Sequence, residues 1–235
     1  MTGFRYDAAI TARFPQVVGG VIYVVGLRNG PTPSALAAAF RDEQTAVRAR
    51  LGDTPLSELP ALAAWRSVFR AFGVDPTQYR SAAEALLRRL VKQGELPSIS
   101  TLVDLANLVS IRHALPVAVI DTRALSGDVV VRFARGDEPW ADLGASETDH
   151  PEAGEVIFVD AADAVCARRW CWRQSRESAT LDDTTEVLVT VEGHHASAAA
   201  DVVAALGDLE LLLREHASPA SLRRGVVDAA HPAFG

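Results

Sequence analysis

The sequence predicts an α+β fold, a twisted and mainly antiparallel sheet flanked by helices. Three patterns carry that expectation: Ala-rich stretches between Pro33 and Leu108 with apolar residues at helical spacing, short β-branched segments punctuated by Gly and Asp from Val117 to Glu192, and a long amphipathic stretch from Ser197 to His216. With 235 residues, 49% hydrophobic and 23% charged, the chain reads as one ordinary globular domain spanning 1–235. If it divides into sub-lobes, 1–73 and 74–235, the break at Gly73 to Pro76 is the seam.

A short helix or turn is expected near Asp7 to Arg13, then a strand from Val17 to Leu27 whose β-branched run stops at Arg28 to Pro31, a turn signature. Pro33 to Leu51 is helical, with Ala35, Leu36, Ala39, Phe40 and Val47 forming a stripe. Leu59 to Phe72 repeats the logic with Leu62, Trp65, Phe69 and Phe72. Ser81 followed by Glu84 has capping-box spacing and predicts a helix over 82–93, stopped at Gly94. Ser100 opens another helix through Leu108, with Asp104, Asn107 and Ser110 along one side and Leu102, Leu105 and Val109 facing inward. Strands are expected over 117–120, 128–133, 156–159, 164–170 and 186–192, and a helix over 197–216 that packs on their sheet. The end of the chain, 226–235, is expected to be loosely held.

A formal charge of −7 argues against indiscriminate coating of nucleic acid, although two local basic clusters remain, at Arg88, Arg89 and Lys92 and at Arg168, Arg169, Arg173 and Arg176. No apolar run approaches the ~18 residues of a membrane span, and the first fourteen positions hold no apolar secretory core, so the expected address is cytoplasmic and no membrane partner is expected. Cys166 and Cys171 lack CxxC spacing and read as reduced core thiols. No metal is expected, because the only close histidine pair, His194 and His195, follows a strand and suits a turn. No GxSxG elbow, Walker loop or GxGxxG is present, so a covalent serine enzyme and a nucleotide cofactor have no support, and no cofactor is expected.

What remains is a polar set suited to binding and positioning: Arg80, Asn107, Ser110, Asp121, Glu138, Trp172, Arg173, Gln174 and Glu192. The segments that hold several of these are Val165 to Ser175 (VCARRWCWRQS), Thr184 to Glu192 (TTEVLVTVE), Leu102 to Ser110 (LVDLANLVS) and Leu115 to Asp121 (LPVAVID). Together they resemble freestanding relatives of the B3/B4 editing domain of the phenylalanyl-tRNA synthetase β subunit, over about residues 75 to 195. Asn107, Pro116, Asp121, Gly127 and Arg132 match the family pattern. Ala106 stands where the synthetase has threonine, Ala118 where it has histidine, and Thr190, two residues short of Glu192, near its strand-end glutamate.

The resemblance implies a B3/B4-like fold and a trans-editing hydrolase that deacylates a mischarged aminoacyl-tRNA through a positioned water, with no dedicated nucleophile. It implies catalytic roles for Asn107 and Glu192, and an amino-acid site drawing on Ser110, Asp121, Glu138, Trp172, Arg173 and Gln174. Arg80, Arg88, Arg89 and Lys92 would approach the tRNA; DNA is not an expected partner, and nothing bears on oligomeric state. The family's glycine-rich pocket loop falls opposite Trp172 to Ser175, so a substrate smaller or more polar than tyrosine is expected. Freestanding members include a deacylase for canavanine, whose guanidinium-like group would want Asp121, Glu138 or Glu192.

Each residue also has a plainer reading. Asn107 and Ser110 can bridge local backbone, Asp121 can close a turn, Arg80 can pair with Glu84, and Trp170 and Trp172, sharing a face at period two, can be core. Two other functions stay open: a non-catalytic tRNA- or RNA-binding module of the same fold, and an amino-acid-binding protein.

Overall fold

A computed structural model describes residues 2–143 and 148–235. Phe4–Tyr6 (β1) leads into Ala8–Arg13 (α1), capped by the Asp7 side chain, and Val18–Val25 (β2) follows. Three helices come next, Ser34–Leu51 (α2), Pro60–Ala71 (α3) and Ala82–Gln93 (α4), then Thr101–His113 (α5). Ser81 caps α4 by accepting from the Glu84 N–H, and left-handed Gly94 ends it, as the capping spacing requires. The strand-rich part comprises Val117–Asp121 (β3), Val129–Phe133 (β4), Trp140–Ala141 (β5), Thr148–Asp149 (β6), Val156–Val159 (β7), Val165–Arg168 (β8), Arg173–Gln174 (β9) and Glu186–Gly193 (β10). Ala198–His216 (α6), Ser221–Asp228 (β11) and Ala233–Phe234 (β12) complete it.

The strands make a four-stranded antiparallel sheet in the order β11-β2-β10-β3 and a six-stranded sheet in the order β12-β1-β4-β7-β8-β9, in which only β1 and β4 run parallel; β5 and β6 pair separately. The α+β, mainly antiparallel expectation therefore holds. Alternation along β10 explains the layering. Val187, Val189 and Val191 point into a core shared with α2, α4, α5 and α6, while Leu188 points into a second core shared with Phe4, Tyr6, Val131 and Phe158 of the six-stranded sheet. The four-stranded sheet thus lies between helices and the other sheet, and β2 and β10 are buried on both faces.

Four features differ from the sequence reading. α5 runs on to His113 because nothing forbids helix before Pro116; nine of its thirteen positions are buried among α2, α4, α6 and β3. The strand at 164–170 stops at Arg168, where Arg169 and Trp170 take positive φ. The chain end is not loose: β11 pairs with β2 through eight residues and β12 pairs with β1, so each covers an otherwise open edge. His194 is not turn decoration but is buried among Phe14, Trp65 and Trp170, and burial pushes its pKa down to about 3. Among the described residues no helix is long and apolar enough to cross a membrane.

Gly20 of β2 sets how closely α6 approaches the sheet. A Cβ there would stand 2.6 Å from Leu206 Cγ, in a layer where each buried Leu or Val contributes about 1.5–3 kcal/mol. Gly20→Ala is expected to lower stability by about 1–3 kcal/mol through overpacking, read as a shift in the urea midpoint at unchanged slope.

Candidate functional site

Period-two alternation puts Glu192 on the same face of β10 as Leu188 and Thr190, between the two sheets, where it is 2% exposed. Tyr6 donates its hydroxyl to Glu192 Oε1 at 2.6 Å, and the Trp170 indole N–H donates to the same oxygen at 3.0 Å. The Trp65 indole N–H reaches the Glu192 backbone carbonyl at 3.4 Å. Gly19, paired opposite Glu192, leaves the space: a Cβ there would lie 2.4 Å from the Tyr6 hydroxyl oxygen. Burial pushes the Glu192 carboxyl up to about 7, against the two donors that favour its charged form. Burial and the neighbouring carboxylate push the Tyr6 phenol well up, so Tyr6 remains a donor.

The segment after β8 turns sharply instead of continuing. Arg169 (φ 45°) and Trp170 (φ 61°) both occupy left-handed backbone, which for non-glycine residues costs about 1–3 kcal/mol each. The turn is held by hydrogen bonds from the Arg169 N–H to Glu155 at 2.8 Å and from the Trp170 N–H to the Val156 carbonyl at 2.7 Å. It separates two tryptophans that strand geometry would keep together. Trp170 is packed into the core against Phe14 and Trp65, and Trp172 stands half-buried at the surface.

Between them opens a cavity of about 100 Å³. Phe158, Trp170, Thr190 and Glu192 make its buried end; Trp172, Arg173 and Gln174 line it where it meets solvent, with Arg173 46% exposed at its side chain. That is room for several waters or a small side chain, well under the ~300–1,000 Å³ of a drug-sized site. Gln174 closes one wall by spending both amide hydrogens on backbone, the Val119 carbonyl at 2.8 Å and the Ser178 carbonyl at 2.6 Å. Ala118 lines the cavity opposite Thr190, so the position where the resemblance puts a histidine offers only a methyl group. The Cys171 thiol also lines it; burial and then the Glu192 charge push its pKa well up, which keeps it protonated.

Of the residues singled out in the sequence, Trp172, Arg173, Gln174 and Glu192 come together here; the others lie elsewhere. Asn107 is half-buried on α5 and does not line the cavity; no residue of α5 does, and the segment after it joins the lining at Pro116 to Ala118. Ser110 donates to the Leu115 carbonyl at 2.7 Å and closes the end of α5. Asp121 accepts from Thr184 at 2.6 Å and from the Arg123 guanidinium at 2.8 Å; burial opposes its charge, but these partners hold it below the usual carboxylate range. Glu138 is buried in a turn. Burial would raise its carboxyl, yet the Arg135 and Gly136 N–H groups and Arg132 bring it down to about 2.

The basic clusters divide similarly. Arg88, Arg89 and Lys92 line an open groove on the outer side of α4, whereas Arg168 is buried in a bidentate pair with Glu155 and stacked on Trp140. Arg169 is buried as well, so these two guanidiniums are internal struts rather than surface charge. Arg80 lies 3.7 Å from Glu84, which also pairs with Arg66 at 2.7 Å. Among the described residues no group of three or more His, Cys, Asp or Glu side chains is arranged to hold a metal.

Sequence reasoning missed Tyr6, which sits on a three-residue strand 186 positions from its partner and carries no local signature. A signal did exist in β2. Two glycines inside a β-branched strand mark close approach, here of Tyr6 at Gly19 and Leu206 at Gly20.

A carboxyl that titrates higher folded than unfolded binds its proton more tightly in the folded chain. Its contribution to stability is therefore full below the ordinary value of 4.5 and is lost as pH rises toward about 7. Glu192→Gln keeps an oxygen for both donors and lacks the titration. The difference in urea midpoint between wild type and Glu192→Gln is expected to move in favour of the variant between pH 4.5 and 7 and to be flat above; a difference independent of pH would refute the assignment.

Comparison with known proteins bears on this architecture. Residues 64–208 match the family model described as B3/4 domain. A stretch of 104 residues is 28% identical to the phenylalanine–tRNA ligase beta subunit of Shewanella oneidensis strain MR-1, covering 44% of this chain and 13% of that subunit, so the chain corresponds to a small part of the relative. A crystal structure of an N-terminal fragment of the phenylalanyl-tRNA synthetase beta subunit from Pyrococcus horikoshii superposes with a TM-score of 0.47 at 12% identity, over 94% of this chain and 50% of that one. The family match spans more than half of the chain, which belongs to the B3/4 domain family.

Proposed function

We propose that the chain is a hydrolase that deacylates a mischarged aminoacyl-tRNA in trans. The observation that carries this reading is the buried Glu192 at the end of a small cavity, with a carboxyl poised near neutral pH and both its donors on one oxygen. In the proposed reaction, ionised Glu192 takes a proton from a water as that water's oxygen bonds to the ester carbonyl carbon. The proton then passes to the departing ribose oxygen, releasing the amino acid and the tRNA. Aminoacyl esters are labile, so a held water and one base suffice.

The size of the cavity favours a small or polar amino acid over a phenol ring. For a guanidinium-like side chain such as that of canavanine, Asp121 and Glu138 are already spent on Arg123 and Arg132, and Glu192 alone lines the cavity. A tRNA partner fits the placement of α4. Ala82 lines the cavity and Lys92 lies ten residues on, ~15 Å along the helix, so Arg88, Arg89 and Lys92 lead away from the site on a scale suited to a single-stranded acceptor end.

Steady-state hydrolysis of a panel of charged tRNAs, canavanyl-tRNA included, tests the reading. At least one is expected to be deacylated well above the buffer rate, with kcat rising through about pH 7, and Glu192→Gln is expected to lower kcat by about a hundredfold. No enzymatic rate on any of them overturns it. In that event tRNA affinity with a steep salt slope marks a binding module, and affinity for free amino acids alone marks an amino-acid-binding protein. Replacing Arg88, Arg89 and Lys92 together by alanine is expected to weaken tRNA binding and to reduce the salt slope by about 0.7–0.9 for each phosphate no longer neutralised, measured by titration across salt concentrations.

A further inference from the structure

Trp172 and Arg173, at the open end of the cavity, pack with Tyr79 and Arg169 behind them. The Arg169 guanidinium lies 3.8 Å from the Tyr79 ring centroid and 4.6 Å from that of Trp172, and the Arg173 guanidinium lies 4.6 Å from Trp172. Tyr79 meets Trp172 edge-on at 5.0 Å. Arg169 is buried beside Glu152 and Glu155, whereas Arg173, paired with Asp142, is the exposed member. Both guanidiniums are charge-compensated. What reaches solvent here is the half-buried Trp172 and the 46% exposed Arg173 side chain, both held by neighbouring rings and carboxylates before any ligand arrives, and not net positive charge for a phosphate.

Flat surface of that kind takes flat rings. An ester carbonyl delivered to Glu192 at the buried end leaves the nucleoside side of the substrate extending past Trp172 and Arg173, because these residues line the way out. We infer that Trp172 and Arg173 form a stacking subsite for a nucleobase of the substrate, and that the amino-acid side chain is left to Gln174, Thr190 and Glu192. The inference rests on the deacylase reading and deepens it. Indole and guanidinium faces stack any base and favour the larger purine, so the subsite recognises the nucleoside end without regard to which amino acid is attached.

Fluorescence reports on this site, since Trp65, Trp140 and Trp170 are buried and Trp172 is half-buried at the cavity mouth, and Trp172→Ala separates its response from that of Trp170 at the buried end. Adenosine titrated into the full chain is expected to quench saturably and at lower concentration than cytidine, and Trp172→Ala is expected to abolish the response. In deacylation, Trp172→Ala is expected to raise KM by about tenfold, more than it lowers kcat, and Trp172→Phe, which keeps a ring, is expected to restore KM to within about twofold. Absence of saturable quenching in the wild type, or a KM unmoved in Trp172→Ala, overturns the base subsite even where deacylation is robust. Saturable quenching at Trp172 without any deacylation supports the subsite and removes the hydrolase.

Discussion

A carboxyl group nearly cut off from water lies between two sheets, and the parts around it make sense as answers to its burial. An ionised carboxylate without donors would be expelled from such a layer or kept protonated at every working pH. Tyr6 and Trp170 supply neutral donors to one oxygen, which moderates the penalty without the full compensation that a guanidinium would bring. The result is a group balanced near neutrality. Contrast Glu155 and Glu138, equally buried but bound by Arg168 and Arg132, which serve as anchors.

That requirement reaches back into the architecture. Tyr6 arrives from β1 in one sheet, Glu192 from β10 in the other, and Gly19 in β2 vacates the volume through which the phenol passes. Trp170 reaches the same oxygen only because two residues accept left-handed backbone after β8. The strain is borne by Glu155, which accepts from the Arg169 N–H while clamping Arg168. The same turn swings Trp172 outward, so one short segment supplies both an inner donor and an outer stacking face. Local backbone cost and functional placement coincide, as they do where a fold is asked to do more than pack.

Much of this chain was legible as a string of residues. The helix over 82–93 followed from Ser81, Glu84 and Gly94, and the strands expected over 117–120, 128–133, 156–159 and 186–192, each found to within one residue at either end, from β-branched runs between turn residues. Of the candidate site, Trp172, Arg173, Gln174 and Glu192 were recoverable because aromatic and charged residues interrupt an apolar strand pattern there. Ser110 and Asp121 are polar interruptions of the same kind of pattern and serve the backbone instead, the first closing a helix end and the second a turn. Asn107 shares the helix of Ser110 yet lies off the cavity. A polar side chain in an apolar segment reports that a partner exists, and the partner's identity is written in three dimensions.

The helices between Pro33 and His216, the Ser81 cap of α4 and the longer strands between Val117 and Gly193 were determined by the sequence alone, since periodicity, capping and β-branching act over a few residues, whereas β1, β11 and β12 show only once their partners are in place. Which carboxylate titrates and which anchors, and which tryptophan faces inward, were decided only when the sheets closed on one another. The physical reason is separation: Tyr6 and Glu192 are 186 positions apart, and nothing short of the packed layers brings a hydroxyl to within 2.6 Å of that carboxyl.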